Sequence, residues 1–244
     1  RGGSDFSATI IGAALGAGRV EIWTDVSGIL TTDPRLIPGA AAIPEMSYAE
    51  AAELAFFGAK VVHPSSIQPA VEKNIPVWVK NTKAPQDPGT ALSGETRGRG
   101  MRAIAFKKNI TLINVASSRM LNAYGFLSRM FAVFEKHKTP VDLIATSEVS
   151  VSMSVESSAR LKEIVKDLEE FSSAEVSKNR AIISLVGKEV WQESGFLVRV
   201  FSALGPIPVR MISLGASHIN LSLVVPEEHC EEAVKLLHKE FFEF

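Results

Sequence analysis

This sequence has a single cysteine, no long apolar run and no excess of charge of either sign. Because Cys230 is the only cysteine among 244 residues, no disulfide can form within the chain, and stabilisation by packing suits a reducing compartment such as the cytoplasm. No apolar run approaches the ~20 residues of a membrane-spanning helix. The formal net charge of −1 provides no basic field for nucleic acid or an anionic membrane, so we expect neither as a partner.

Cysteine, histidine and aspartate residues do not cluster at the sequence spacing typical of metal sites. We therefore predict no metal-ligating residues. What the chain does contain is apolar material for a core. Hydrophobic residues make up 46% of the sequence and charged residues 22%, which is enough for one large or two smaller globular domains. The chain opens on Arg1 without an initiator methionine, so we expect it to be part of a longer polypeptide.

Residues 1–83 are patterned as an α/β domain. A helix of small apolar residues is predicted over 6–17, and a buried strand follows at 20–23. Ser47, with Glu50 three residues later, is a capping box that opens a second helix, and a further helix and strand come after it. This alternation predicts a three-layer domain with a mostly parallel sheet, whose functional residues lie at the carboxyl ends of strands.

Residues 84–101 are rich in proline, glycine and polar residues and are predicted to be a linker. Beyond them the sequence repeats: residues 125–131 match residues 195–201, and each copy then runs into an alternating strand. A period of about 70 residues is too long for a solenoid and fits a small duplicated domain. The predicted domains are 102–178 and 179–244.

Each copy is predicted to be a ferredoxin-like unit with the order strand, helix, strand, strand, helix. The first copy can finish with a strand near 174–176, whereas the second ends at its helix. The strand at 102–107 is therefore a candidate to complete the second sheet and interlock the two copies. Because an unpaired edge strand invites a partner, the sheets of these units can also join edge to edge.

Residues that could bind ligands lie at the ends of the predicted helices and strands. Gly2-Gly3-Ser4-Asp5 before a helix can cradle an anion, because backbone N–H groups and the helix dipole favour negative charge there, although a simple capped turn explains the residues equally well. Thr24-Asp25 at a strand end could contact a ligand or cap a turn. Arg35 and Lys60 could supply cations to phosphates or could be ordinary solvated residues.

Taken in order and spacing, several motifs resemble one family. They are Arg1-Gly2-Gly3-Ser4-Asp5, Trp-Thr-Asp-Val-Ser-Gly-Ile at 23–29, Thr-Thr-Asp-Pro-Arg at 31–35, Phe-Gly-Ala-Lys-Val-Val-His-Pro at 57–64 and the stretch 141–150. With these motifs the whole chain resembles the aspartate kinases of the lysine-sensitive, monofunctional type. The resemblance implies the C-terminal part of an amino-acid-kinase (carbamate-kinase-like) domain, followed by two ferredoxin-like ACT domains.

The resemblance implies transfer of the γ-phosphoryl group of ATP to the β-carboxylate of L-aspartate, the first step of lysine, threonine and methionine biosynthesis. A carboxylate is already a nucleophile at neutral pH, so the enzyme needs no strong general base and contributes positioning and charge neutralisation. By this resemblance, Asp5 orients catalytic groups. The residues implied to bind aspartate are Arg1, Gly2, Gly3 and Ser4, and those implied to bind ATP with its Mg²⁺ are Thr24, Asp25, Leu30, Arg35, Lys60 and Val61. Leu30 stands where other members often carry an aromatic residue, which removes a base-stacking contact.

The family's Lys-Phe-Gly-Gly-Thr-Ser motif, whose lysine stabilises the transferring phosphoryl group, does not occur in this sequence. We therefore expect the chain alone to be catalytically inactive. Two other interpretations stay open: a stand-alone amino-acid-binding regulatory module, and an amino-acid kinase acting on glutamate or acetylglutamate, which the tandem ACT pair disfavours.

The first ACT copy is expected to hold an effector. Asp142 and Glu148 can pair with the ammonium groups of an amino acid, and the turn at Gly125 offers N–H groups to its carboxylate. The second copy has Arg210 and, for the other anion, His218 or a neighbour, so only the first copy is expected to bind. The implied contacts are Met120, Gly125, Phe126, Leu127, Val141, Asp142, Thr146, Ser147 and Glu148.

The resemblance implies lysine as a feedback inhibitor, with threonine, or lysine plus another metabolite, as alternatives. Ala123 stands where lysine-sensitive members commonly have serine, which removes one hydrogen bond. The resemblance further implies a homodimer through the ACT domains, with a tetramer left open, and a bacterial cytoplasm or a plant plastid as the compartment.

Overall fold

The chain builds two β-sheets, seen in a computed structural model that describes residues 2–58, 61–96, 98–117, 124–156 and 159–243, apart from the side chain of Trp191. The first part contributes α1 (Gly3–Leu15), β1 (Val20–Thr24), β2 (Glu45–Ser47), α2 (Tyr48–Phe56), α3 (Pro64–Glu72), β3 (Val77–Asn81) and β4 (Thr90–Ser93). Its strands are ordered β1-β3-β4-β2; the β1–β3 and β2–β4 pairs are parallel and the β3–β4 pair is antiparallel.

The capping box that was predicted for α2 is confirmed. The Ser47 hydroxyl accepts the N–H of Glu50 at 3.1 Å, and the Glu50 carboxylate accepts the N–H of Ser47 at 2.7 Å. Two boundaries differ from the prediction. Helix α1 begins at Gly3 rather than at residue 6, and β4 lies inside the expected linker, where Leu92 is fully buried and pairs with Val77.

The second part forms the larger sheet, ordered β6-β7-β5-β8-β10-β9. Its elements are β5 (Gly100–Ala116), α4 (Phe126–Lys136), β6 (Leu143–Thr146), β7 (Ser150–Glu156), α5 (Leu161–Glu169), β8 (Ser173–Lys188), α6 (Phe196–Leu204), β9 (Met211–Leu214), β10 (Asn220–Pro226) and α7 (Cys230–Phe242). The two long strands, β5 and β8, run antiparallel along their length, with Ala103 opposite Val186 and Ala116 opposite Ser173. Residues 103–107 of β5 therefore lie in the sheet of the second copy.

Asn109 and Asn179 mark the midpoints of the two long strands. Both have positive φ, +60° and +55°, and each lies where the β5–β8 register shifts. The shift lets each strand pass from the sheet of one copy into that of the other. The interruption of both strands thus follows the repeat seen in the sequence.

Three hydrophobic clusters stabilise the described residues. One joins the two sheets, since Leu54 of α2 and Val77 of β3 share it with Ile182 of β8 and Val224 of β10. The other clusters lie under α4 and α5 in the first copy and under α6 and α7 in the second. Within the described ranges, no helix has the length and apolarity needed to cross a membrane.

Candidate functional site

The N-terminus of α1 is a donor-lined turn. Gly2 caps the helix at φ +82°, a conformation that side-chain-bearing residues rarely adopt. The N–H of Phe6 donates the first helical hydrogen bond to the Gly2 carbonyl at 2.9 Å, so the N–H groups of the first turn, at Gly3, Ser4 and Asp5, make no bond within the helix and can serve an anion. The predicted aspartate-binding residues from Gly2 to Ser4 and the predicted catalytic residue Asp5 share this turn.

A second helix N-terminus lies directly beside it. A Cβ built on Gly2 would stand 3.5 Å from the Cβ of Ser66, in the first turn of α3. His63 caps α3, and its Nδ1 accepts the N–H of Ser65 at 3.3 Å. The Thr9 hydroxyl donates to the Ser66 carbonyl at 2.6 Å and holds the two helices together. Because both positive helix ends meet here, the place favours bound negative charge.

The carboxyl ends of two parallel strands reach the same edge. The Thr24 carbonyl at the end of β1 accepts both the N–H and the hydroxyl of Thr82, which follows β3, each at 2.8 Å. The Thr24 hydroxyl donates to the Asp25 carboxylate at 3.2 Å. Helix α3 leads into β3 through a short turn, so its N-terminus lies at the carboxyl end of that strand. Thr24 and Asp25 therefore face the edge where the helix ends converge.

The loop of residues 29–43 leaves from this edge as well, and we name it the nucleotide loop because it carries Leu30 and Arg35, two residues predicted to bind ATP. The N–H of Ile29 donates to the Thr90 hydroxyl at 2.8 Å, and the loop closes where the N–H of Ile43 donates to the Ile29 carbonyl at 2.9 Å. Leu30 forms an isolated bridge at its base. The loop thereby places Leu30 beside the strand ends.

Arg35, at the outer end of the nucleotide loop, is held by Asp33. Its Nη2 lies 2.6 Å from Asp33 Oδ2, and its Nε lies 3.0 Å from Oδ1. This fork holds the pKa of Asp33 below its usual range and raises the pKa of Arg35. The Arg35 side chain is 89% exposed, so guanidinium N–H groups remain for a phosphate.

Three predicted site residues lie outside the described residues: Arg1, Lys60 and Met120. Val61, next to Lys60, is half-buried against the core that joins the sheets. Gly58 approaches β5 so closely that a Cβ there would stand 2.6 Å from the Phe106 carbonyl oxygen. Gly58, which comes shortly before the predicted nucleotide-binding residues Lys60 and Val61, is therefore packed against β5.

The predicted effector residues divide into two groups within the chain. Gly125-Phe126-Leu127 open α4 near the end of β5, because the Phe126 ring packs 5.7 Å from that of Phe171, close to Ser173, which pairs with Ala116. Thr146, Ser147 and Glu148 lie near that same end, since Ala116 also pairs with Ser150. Asp142 precedes β6 at the opposite end. A strand rises about 3.3 Å per residue, so Asp142 and Ser147 are separated by roughly 16 Å. One chain does not bring Asp142 and Glu148 to a single point.

Asp142 is already paired with a cation. Its side chain is 4% exposed, and Oδ2 lies 3.3 Å from Lys107 Nζ, which also lies 2.5 Å from Glu156 Oε1. Burial raises the pKa of Asp142, and the Lys107 charge opposes that shift. Val141 packs half-buried against the first-copy core. The residue predicted to take the effector's ammonium thus holds a lysine of its own chain.

The second copy repeats this geometry without the anion. The N–H of Arg210 donates to the Val224 carbonyl at 2.8 Å, as that of Asp142 donates to Ser154 at 2.9 Å. Arg210 therefore occupies the position equivalent to Asp142.

Comparison with known proteins finds matches along the whole chain. Residues 1–81 match the Amino acid kinase family and residues 183–241 match the ACT domain. The chloroplastic aspartokinase 3 of Arabidopsis thaliana is 44% identical over all of this chain and 46% of its own length. A regulatory domain assigned as the C-terminal part of aspartate kinase from Porphyromonas gingivalis W83 is 38% identical, and 97% of it aligns with 58% of this chain at a TM-score of 0.52.

The chain belongs to the aspartokinase family. The family resemblance and the α/β class, with an amino-acid-kinase part before ACT, are thereby confirmed. Escherichia coli aspartokinase III is 41% identical and aligns over all of this chain and 56% of its own. Its R-state with aspartate and ADP gives a TM-score of 0.89, and its T-state with lysine and aspartate gives 0.86. The chain spans about half the length of the curated relatives it matches.

Sequence reasoning missed several residues at the edge formed by the carboxyl ends of β1 and β3. Thr82 ties the ends of β1 and β3 together, and Asn81 donates from Nδ2 to the Ser27 hydroxyl at 2.9 Å. Ser66 was missed because it lies within a helix whose neighbour could not be inferred. The signal for Asn81 and Thr82 was available, since they directly follow a buried strand in a predicted parallel sheet. Across the described ranges, no three acidic, histidine or cysteine side chains are placed to hold a metal ion.

Proposed function

We propose that the chain provides the aspartate- and nucleotide-binding part of an aspartokinase, together with the amino-acid sensor that regulates it. The observation that carries this proposal is the meeting of two helix N-termini at the carboxyl ends of parallel strands, in a chain of this family. A polyanion bound at that edge receives backbone N–H donors and two helix dipoles. The relative solved with aspartate and ADP supports the same pair of ligands.

In the proposed reaction, an oxygen of the aspartate β-carboxylate attacks the γ-phosphorus of ATP, and the bond to ADP breaks. The first-turn N–H groups of Gly3 and Ser4, with the Arg1 guanidinium, hold the aspartate carboxylates in place. Asp5 orients the reacting groups, and Lys60 and Arg35 contact phosphates. Thr24 and Asp25, whose oxygen atoms suit a hard cation, would hold the Mg²⁺ that accompanies ATP, and this ion would neutralise phosphate charge.

The sensor part is proposed to bind lysine through the first ACT copy in a homodimer. The two groups of effector residues are too far apart in one chain for one amino acid, and a second copy joined through the sheet could supply the missing group. Strand β6 is an outer strand of the ACT sheet, and exposed apolar side chains of the β6–β7 hairpin, including Ile144 and Val149, support such a contact. The cellular compartment depends on the source organism: it is the cytoplasm for a bacterial protein and the plastid for a plant protein.

Calorimetric titration of the chain with MgADP, L-aspartate and L-lysine tests this function. We expect heat with each, loss of the lysine signal in Asp142→Ala, and an unchanged lysine signal in the matched second-copy variant Arg210→Ala. Absence of heat with both MgADP and aspartate would refute the kinase assignment. Equal lysine binding by wild type and Asp142→Ala would refute the effector site.

A stand-alone regulatory module is the second candidate, favoured by the match to the separately solved regulatory domain. Trapping acyl phosphate with hydroxylamine separates the two possibilities. Because the family's phosphoryl-stabilising lysine motif does not occur in these residues, we expect binding of MgADP without turnover by the chain alone. Lysine binding without any nucleotide binding would favour the module.

A further inference from the structure

The nucleotide loop is anchored by the last helix of the chain. Thr31 is buried within the loop, and its hydroxyl lies 2.9 Å from Nε2 of His238 on α7, across 207 positions of sequence. The His238 side chain is 3% exposed. A buried polar contact of this kind is costly to break, because neither group can turn to water.

The Thr31 hydroxyl also closes the loop on itself. It accepts the N–H of Ala41 at 3.1 Å, and the Thr31 N–H donates to the Ala41 carbonyl at 2.9 Å. A hydroxyl can accept two hydrogen bonds and donate one, so the same oxygen serves both Ala41 and His238. One side chain therefore joins the two limbs of the loop to α7.

The imidazole of His238 is itself held from two sides. Its ring packs against that of Phe242, with ring centres 4.9 Å apart, and its Nδ1 lies 3.5 Å from Glu243 Oε1 without hydrogen-bond geometry. A ring fixed in this way presents Nε2 to Thr31 in one direction only.

Further contacts dock the same loop on the sensor part. The Thr31 carbonyl accepts the N–H of Ile104 on β5 at 2.8 Å. Leu36 and Ile37 pack against the second-copy cluster, which includes Leu237 and Phe241 of α7. Leu30 and Arg35 are thus carried by a loop whose position depends on the second ACT copy.

We propose that His238 is a positioning residue for the nucleotide site, acting through Thr31, so that α7 of the second ACT copy holds the nucleotide loop in place. The consequence for nucleotide rests on the proposed function, whereas the effect on the loop does not. His238 contacts neither ligand. It sets the loop from which Leu30 and Arg35 reach the nucleotide.

The test compares the full 244-residue chain with single variants. His238→Leu removes the ring nitrogens, and His238→Gln keeps an amide group that can reach Thr31. Thr31→Val keeps the shape of the partner and removes its hydroxyl, so it tests the same contact from the other side if His238→Leu does not fold. His229→Leu is the matched control, because His229 precedes the same helix, its side chain is 38% exposed, and it pairs with the surface residues Glu228 and Glu232.

The first measurement is amide hydrogen exchange in residues 29–43, with β3 as the internal reference. We expect exchange in the loop to rise about tenfold in His238→Leu and Thr31→Val, with β3 unchanged, as the loss of one buried hydrogen bond implies. His238→Gln and His229→Leu should stay within about threefold of wild type. Unchanged loop exchange in both disruptive variants, or an equal rise in β3, would overturn the positioning role.

The second measurement is the affinity for MgADP. We expect it to fall about tenfold in His238→Leu and to recover in His238→Gln, in line with one buried hydrogen bond. Unchanged affinity with a loosened loop would overturn the link to the nucleotide site. If the wild-type chain does not bind MgADP, the proposed function fails, and the exchange data still decide whether His238 positions the loop.

Discussion

At the scale of single residues, burial outweighs position along a helix. Cys230 begins α7, where the helix dipole favours a thiolate, yet its side chain is fully buried and burial raises the pKa of the thiol to about 12. The folded chain therefore holds this proton more tightly than the unfolded chain. The thiol's contribution to stability is complete below pH 9 and is lost as the pH rises from 9 to 12.

We expect Cys230 to resist iodoacetamide in the folded chain at pH 8, because the thiolate is scarce and inaccessible there. Mass spectrometry of timed samples measures the modification. A sample unfolded in urea should react at the rate of a free thiol and serves as the control. Rapid alkylation of the folded chain would contradict the burial of this thiol.

The ion pair of Asp142 and Lys107 is a second feature at the scale of residues, because Lys107 contacts two parts of the molecule. The pair lies in the sensor, and Lys107 Nζ also stands 5.3 Å from the centre of the Phe56 ring at the end of α2. Phe56 precedes Gly58, which abuts β5. At the proposed effector site, an effector ammonium at Asp142 would compete with Lys107 for that carboxylate and leave Lys107 paired with Glu156.

At the scale of elements, the two long strands depend on a single residue at each midpoint. Asparagine reaches positive φ more readily than most side-chain-bearing residues, whereas a β-branched residue does not. The equivalent positions of Asn109 and Asn179 in the two copies indicate that the strand interruption is part of the duplicated unit.

We expect Asn179→Val to lower the free energy of unfolding by about 1–2 kcal/mol, because valine at positive φ is strained, and Asn179→Gly to change it by less than about 0.5 kcal/mol. Asn109 should respond in the same way. Equilibrium unfolding in urea measures both pairs. Equal stability of the valine and glycine variants would show that the backbone at these positions is not constrained as described.

Sequence patterns located several elements, and their success depended on how local the signal was. The capping box of α2 was visible because Ser47 and Glu50 are three residues apart and bond each other. Strand β4 was missed because Pro, Gly and polar residues surround it, and only pairing with β3 and β2 buries Leu92. Local chemistry determines a helix cap, whereas a short strand requires neighbours.

At the scale of the whole molecule, the amino-acid-kinase part and the ACT sheet share one hydrophobic core and several polar contacts. Arg102 of β5 lies 3.6 Å from the buried carboxylate of Glu50, and Asn220 of β10 donates to Glu53 at 2.9 Å. Helix α2 is thereby fixed to the ACT sheet on which an effector would act. If an effector changes that sheet, as proposed, these contacts connect the change to α2.

We expect lysine and MgADP to weaken each other's binding by the same factor, of about tenfold, because linkage between two sites is reciprocal. Titration of each ligand with and without the other measures both factors. The variant Lys107→Met keeps most of the length of the side chain and removes its charge. In this variant, the factor by which each ligand weakens the other's binding should fall toward one. Absence of coupling in wild type, or full coupling in Lys107→Met, would contradict this route.

The sequence by itself determined the family, the duplicated unit, the capping box of α2 and the loss of the anion at Arg210. These features are readable because they depend on residue order and near neighbours. The tertiary structure alone decided that Asp142 pairs with Lys107, that its carboxylate lies apart from Glu148, and that His238 meets Thr31. Those outcomes depend on which distant surfaces bury each other, and burial is what makes such pairs strong enough to matter.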